Sequence, residues 1–95
     1  MFARVTSIQI DPAKLPEMRA AMPAVGEHLK RIPGIVECKT CWDETGKGLV
    51  FAIYASKTHA DNSADTIRSV WGGLMAYLSA PPSVSSGTEV IDLLQ

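Results

Sequence analysis

Two cysteines, Cys38 and Cys41, stand three positions apart and are the only ones in the chain. A Cys-x-x-Cys pair is typical of half a zinc site or of a thiol–disulfide switch, and both need a tight turn or a helix start where the sulfurs converge. The surrounding residues 35–43 instead read as a strand. Because residues i and i+3 of a strand point to opposite faces, we expect two free thiols and no zinc, with Cys38 near a sheet-to-sheet interface and Cys41 toward the helices.

The two histidines are placed far from any obvious catalytic partner. His28 lies between Glu27 and Leu29 on a predicted helix, where we expect a solvated side chain. His59 lies at the polar entry to a second helix, where the simplest expectation is a capping or surface role. No Ser-His-Asp order, phosphate-binding loop or His-Glu-x-x-His motif is present, and the acidic residues are dispersed. The sequence therefore predicts no hydrolytic site and no metal site.

Composition and charge are those of a small globular protein. Of the 95 residues, 46% are hydrophobic and 20% are charged, which suits a single domain, 1–95, with one core. A net charge of −1 provides no basic field for nucleic acid or for an anionic membrane. Neither a signal peptide nor a membrane-spanning apolar run is visible, so we expect a cytoplasmic location with no nucleic-acid or membrane partner.

Hydrophobic periodicity changes several times along the chain and defines six elements. Alternation of period two predicts strands, and apolar residues at intervals of three and four predict helices. Asp11 and Pro12 provide an N-cap and a first helical residue. The predicted order is strand 2–10, helix 12–32, strand 35–43, strand 49–55, helix 60–78 and strand 84–94.

This β-α-β-β-α-β order is that of a ferredoxin-like α+β domain, with both helices on one face of an antiparallel sheet. In a single chain the other face of the sheet would then be apolar and exposed to solvent. Such a surface usually marks an interface. We expect a homodimer that packs sheet against sheet. Strand parity assigns six residues to this interface: Val36, Cys38, Trp42, Val50, Tyr54 and Ile91.

Three landmarks of the sequence resemble the antibiotic biosynthesis monooxygenase-like domains of the dimeric α+β barrel superfamily. They are Ile10-Asp11-Pro12-Ala13-Lys14, Ile32-Pro33-Gly34-Ile35, and the strand 50–56 leading to Ala60. The resemblance implies a homodimeric barrel in which each protomer has a cavity between its sheet and its helices. Activities of such proteins include cofactor-free oxygenation of polycyclic phenols, haem degradation, and isomerisation or binding of small molecules.

Haem degradation is the branch that the residues support least. Its members resemble one another in an asparagine on the first strand and in a tryptophan and a histidine on the second helix. Thr6 stands at the position of the asparagine, and Trp71 could match the tryptophan, but no histidine follows it. Without an axial imidazole the iron has no evident ligand, so we expect no haem and no other cofactor.

Cofactor-free oxygenation needs a dry pocket with a few polar groups, for which the sequence offers candidates. Parity and helical spacing predict a ligand pocket formed by Thr6, Ile8, Met22, Phe51 and Trp71. Arg4 could hold an anionic substrate there, pair with a carboxylate, or extend to solvent. The resemblance also makes His59 a candidate base, since enzymes of this family can use a histidine near the entry to the second helix, and Tyr77 is the other candidate catalytic residue. Trp71 and Tyr77 could equally be core residues. The alternative is a non-catalytic barrel that binds a small ligand or serves as an assembly module.

Overall fold

A computed structural model describes residues 1–95. The predicted order of elements is confirmed, except that the second helical region is divided into two helices and the last strand is short. The strands are β1 Phe2–Gln9, β2 Ile35–Trp42, β3 Lys47–Tyr54 and β4 Ser83–Gly87, and the helices are α1 Leu15–Leu29, α2 Lys57–Asn62 and α3 Ala64–Leu74. Short 3₁₀ turns at Pro12–Lys14 and Met75–Tyr77 precede α1 and follow α3.

The four strands form one antiparallel sheet in the order β2-β3-β1-β4. The helices cover one face of this sheet, which confirms the ferredoxin-like α+β fold. Two clusters of buried side chains join the layers. One is centred on Tyr54 at the end of β3, and the other packs Ile8 and Ile10 of the first strand region against Met18 and Leu74 of the helices.

The starts of the helices follow from local capping. The carboxylate of Asp11 accepts a hydrogen bond from the backbone N–H of Ala13 at 3.0 Å, as the N-cap assignment predicted. Ser56 caps α2 in the same way by accepting a hydrogen bond from the backbone N–H of His59 at 3.2 Å, and the polar run before α3 therefore forms a helix of its own.

None of the helices has the length and apolar composition needed to cross a bilayer.

The hairpin loop between β2 and β3 is closed by Asp43. Its Oδ1 accepts hydrogen bonds from the backbone N–H of Thr45 at 2.9 Å, from the Thr45 hydroxyl at 2.6 Å and from the backbone N–H of Lys47 at 3.2 Å. The bond from the Thr45 hydroxyl is the main cause that lowers the pKa of Asp43 below its ordinary value. A lowered pKa in the folded state means that this contribution to stability is present at neutral pH and is lost as the pH falls through that pKa.

A β-bulge at Val36 sets the two faces of β2. Ile35 pairs with Tyr54, but the next paired residue is Glu37, which stands opposite Ile53. Val36 is therefore an extra residue without a partner, and its side chain is 58% exposed. Every residue of β2 beyond the bulge consequently has its side chain on the face opposite to that expected for uninterrupted alternation.

The bulge overturns the predicted orientation of both cysteines and of Trp42. Cys38 pairs with the buried Ala52 and faces the helices, and Trp42 packs against the core cluster around Ile8. Cys41 takes the other face and is exposed. The two thiols are free and lie on opposite faces of a strand, as expected, but the predicted faces are exchanged.

The parity predicted for β3 is also wrong. Val50 pairs with Thr6 and faces the helices, and Tyr54, predicted at the interface, is only 1% exposed within the core. Phe51, predicted in the pocket, lies on the outer face, which is the side of the sheet away from the helices, and is 38% exposed. Residues 49–54 are apolar at every position, so their sequence contains no alternation from which parity can be determined.

The last strand is shorter than predicted because it ends at Gly87. Residues 88–95 form no strand, and Ile91 and Leu93 are 73% and 88% exposed. Their alternating apolar pattern predicted a strand, but within one chain these residues pair with no neighbouring strand.

Candidate functional site

A cavity of about 210 Å³ lies between the sheet and the helices α1 and α3. Most of its wall is hydrophobic, with 13 of 18 lining residues of that kind. The sheet contributes Arg4, Thr6, Ile35, Cys38, Lys39, Thr40, Val50, Ala52 and Tyr54, and the helices contribute Met18, Met22, Val25, Gly26, Leu29, Ile67, Val70, Trp71 and Leu74. A mostly apolar cavity with a few polar groups is the usual form of a small-molecule site.

Arg4 is the most distinctive polar group in this wall. Three quarters of its side chain is buried, and its guanidinium lies 5.3 Å from the ring centroid of Phe2. Its ion pair within the chain is to Asp61, with 4.0 Å between Nη2 and Oδ1, and it donates no side-chain hydrogen bond to the rest of the protein. A guanidinium has five N–H donors, so Arg4 is free to bind an anion.

Hydroxyl and thiol groups complete the polar part of the wall. Thr6 is 6% exposed, and the Tyr54 hydroxyl accepts a long hydrogen bond of 3.5 Å from Ser63. Burial raises the pKa of the Cys38 thiol above its ordinary value, which keeps the thiol protonated at neutral pH. Cys38 is therefore an inert lining residue and not an activated nucleophile.

The cavity wall contains no histidine, aspartate or glutamate. Arg4 and Lys39 are its charged residues, but Lys39 pairs with the outward-facing Phe51 and its ammonium lies 2.7 Å from the Glu37 carboxylate, so Arg4 is the charged side chain on the helix-facing side. No cluster of three or more metal-binding side chains is present in the fold. The arrangement can bind and stabilise a negative charge beside an apolar body, but no wall residue is an ordinary general base.

Three of the five predicted pocket residues, Thr6, Met22 and Trp71, lie in the cavity wall. The other two do not. Ile8 is buried in the neighbouring core cluster, and Phe51 lies on the outer face. Sequence reasoning missed the contributions of β2 and β3, because the bulge at Val36 and the uniformly apolar β3 hid which residues face the helices.

Neither of the other two candidate catalytic residues, His59 and Tyr77, lines the cavity. Tyr77 packs beside the core cluster that contains Ile10, and its backbone carbonyl accepts a hydrogen bond from Asp11. His59 Nδ1 lies 2.7 Å from the Ser56 hydroxyl. The His59 ring therefore lies beside the N-cap of α2, and neither side chain reaches the cavity wall.

The His59 ring also packs against Gly34, which has a φ of 80°. A Cβ at Gly34 would overlap the ring, so Gly34→Ala is expected to cost less stability in a His59→Ala background than in the wild type. The coupling, about 1 kcal/mol, is measurable by urea denaturation of the two single variants and the double variant. Strictly additive losses would show that the ring moves aside freely.

Comparison with solved structures identifies proteins that have the same fold. No protein-family model and no curated protein matches the sequence. A Caulobacter crescentus protein assigned to the antibiotic biosynthesis monooxygenases has a TM-score of 0.81 at 18% identity, over 95% of this chain and 90% of its own. Rv0793 from Mycobacterium tuberculosis has a TM-score of 0.76 at 15% identity, over 97% of both chains.

SnoaB, a cofactor-independent oxygenase from Streptomyces nogalater, has a TM-score of 0.78 at 13% identity, over 99% of this chain and 97% of its own. At these identities the likeness establishes architecture and not activity. The chain has the fold of the antibiotic biosynthesis monooxygenase-like proteins.

Proposed function

We propose that this chain is a small cytoplasmic homodimer that binds a compact aromatic anion and oxygenates it without a metal or a flavin. The observation that carries the proposal is the apolar cavity with Arg4 in its wall, whose guanidinium makes no hydrogen bond within the chain. The shared fold with SnoaB, a cofactor-independent oxygenase, supports the type of reaction. Trp71 and Met22 supply the apolar surroundings that keep water from a reactive anion.

The size of the cavity limits the substrate. A cavity of roughly 150 Å³ is large enough for benzene, so the 210 Å³ available here suits a compound of one or two rings. This room for a ligand argues against a barrel whose interior is completely filled by its own side chains.

The proposed chemistry can be written for 1-naphthol. Arg4 stabilises the naphtholate, which lowers the pKa of the bound hydroxyl and compensates for the absence of a general base in the wall. The naphtholate gives four electrons to dioxygen, one oxygen atom becomes the second carbonyl of 1,4-naphthoquinone, and the other leaves as water with the hydroxyl and ring hydrogens. No outside reductant is required.

Oxygen uptake with 1-naphthol tests the proposal. Wild-type protein is expected to consume one dioxygen per naphthoquinone formed, and Arg4→Met is expected to lower kcat/KM about a hundredfold. Trp71→Phe is expected to cause a smaller loss, because the ring is shortened and no charge is removed. Arg68→Met is the matched control, since the Arg68 side chain is 77% exposed and outside the cavity. Turnover that is unchanged in Arg4→Met would remove Arg4 from the site.

The second candidate function is ligand binding without catalysis. The lack of a histidine or carboxylate in the cavity wall favours it, since a reaction would depend on a substrate that ionises easily. Calorimetry separates the two: stoichiometric binding of 1-naphthol without oxygen uptake would identify a binding protein.

A further inference from the structure

Asp61 on α2 lies beside two cations that it contacts unequally. Its Oδ2 is 2.7 Å from the ammonium of Lys57, which lies one helical turn earlier. Its Oδ1 is 4.0 Å from the guanidinium of Arg4, too far for a hydrogen bond. Lys57 is thus the main ion-pair partner of Asp61, and the electrostatic contact between Asp61 and Arg4 is weak.

The contact of Arg4 with Asp61 is the only opposite charge that Arg4 meets in the chain. A ligand carboxylate or phenolate that approached Arg4 could form two charge-assisted hydrogen bonds where Asp61 forms none. Asp61 would remain paired with Lys57 when that happened, so the exchange leaves no carboxylate without a partner.

We propose that Asp61 is the internal counter-ion of Arg4, a placeholder that a bound anion replaces and whose negative charge opposes anionic ligands. Asp61 then sets how strongly the site selects anions over neutral compounds of the same shape. The inference rests on the proposed function, because it assumes that Arg4 receives the anionic group of the ligand.

Removing the charge of Asp61 and removing the charge of Lys57 are expected to change the affinity for anions in opposite directions. Asp61→Asn removes the opposing charge and should bind 2-naphthoate about three- to tenfold more tightly than the wild type. Lys57→Met leaves Arg4 as the only cation beside Asp61. The affinity for 2-naphthoate should therefore fall about threefold. A merely structural disturbance of α2 would weaken binding in both variants.

Calorimetric titration of the full chain measures these affinities, with neutral 2-naphthamide as the matched ligand whose affinity should not change in either variant. Asp65→Asn is the matched control protein, because Asp65 forms an ion pair with Arg68 at 3.0 Å and lies 96% exposed. It should bind both ligands as the wild type does.

The outcomes separate this inference from the proposed function. Unchanged or weaker binding of 2-naphthoate by Asp61→Asn would overturn the role of Asp61. If Arg4→Met at the same time no longer bound 2-naphthoate but still bound 2-naphthamide, Arg4 would remain the proposed anion site without any role for Asp61. Failure of 2-naphthoate to bind the wild type and Asp61→Asn alike would overturn both.

Discussion

Phe51→Glu is expected to yield a monomer of 10.2 kDa in light scattering at micromolar concentration, whereas the wild type, as the proposed homodimer, is expected to show twice that mass. Phe51 lies on the outer face of the sheet, 38% exposed, next to Leu49, which is 46% exposed. A carboxylate in the centre of a sheet-to-sheet interface would be buried without a partner. The dimer should therefore weaken at least about a hundredfold.

Met75→Glu is the matched control for this change. Met75 is also a large exposed apolar residue, 45% exposed, but it lies in the 3₁₀ turn that follows α3 and not on the sheet. It should leave the mass unchanged. A wild-type monomer at micromolar concentration would contradict the barrel, and a Phe51→Glu dimer would contradict sheet-to-sheet packing.

The expected interface differs from the one that strand parity indicated. Cys38, Trp42, Val50 and Tyr54 face the helices and are not available to a partner across the sheet. Val36 and Ile91 are 58% and 73% exposed and stay predicted interface positions.

The order of elements could be predicted from the sequence because period and capping agree. Pro12 and Asp11 mark the start of the first helical region, and the apolar stripe continues through Met18 and Met22 toward the sheet. The end of the first strand alternates over residues 7–10, and extending that parity toward the N-terminus placed Arg4 and Thr6 on the helix-facing side. Both kinds of local signal come from residues close together in the chain.

The faces of β2 and β3 could not be predicted, for two different reasons. In β2 a single extra residue, Val36, exchanges the faces of all that follows, and no local pattern announces such a bulge. In β3 both faces are apolar, so only pairing with β1 decides that Val50 faces the cavity and Phe51 does not. β2 and β3 contribute seven of the nine sheet residues in the cavity wall, so most of the wall on the sheet side could not be predicted.

The counter-ion of Arg4 was equally hidden, since Asp61 is 57 positions away in the sequence and the two meet only when α2 packs beside the start of β1. Tertiary packing also places His59 and Tyr77 outside the cavity wall. Their residue types suggest chemistry, but residue type alone does not show which side chains reach the cavity.

Gly46→Ala is expected to lower the stability of the fold strongly. Gly46 has a φ of 85°, a conformation that costs a residue with a Cβ about 1–2 kcal/mol. Its own carbonyl accepts a hydrogen bond of 2.7 Å from the backbone N–H of Ile10. A Cβ at Gly46 would overlap the carbonyl oxygen of Ile10, which is backbone and cannot rotate away.

Relief of this overlap requires the hairpin loop to move from the end of β1, with loss of the Ile10–Gly46 hydrogen bond. Strain and lost bond together should lower the free energy of unfolding by about 3 kcal/mol, a large part of the roughly 5–15 kcal/mol of a small domain. Urea denaturation measures the loss. Gly72→Ala is the control, since Gly72 lies inside α3 with nothing near its Cβ position. This variant should have a free energy of unfolding about 0.5–1 kcal/mol higher than the wild type.

The contrast between the two glycines tests the register of the sheet as well as its stability. The Ile10–Gly46 contact fixes the hairpin at the same end of β1 where Gln9 pairs with Lys47, and this register places Arg4 opposite Ala52 in the cavity wall. Equal, small effects of Gly46→Ala and Gly72→Ala would mean that the loop does not meet β1 as described. The pairing that brings β3 into the cavity would then lose its support.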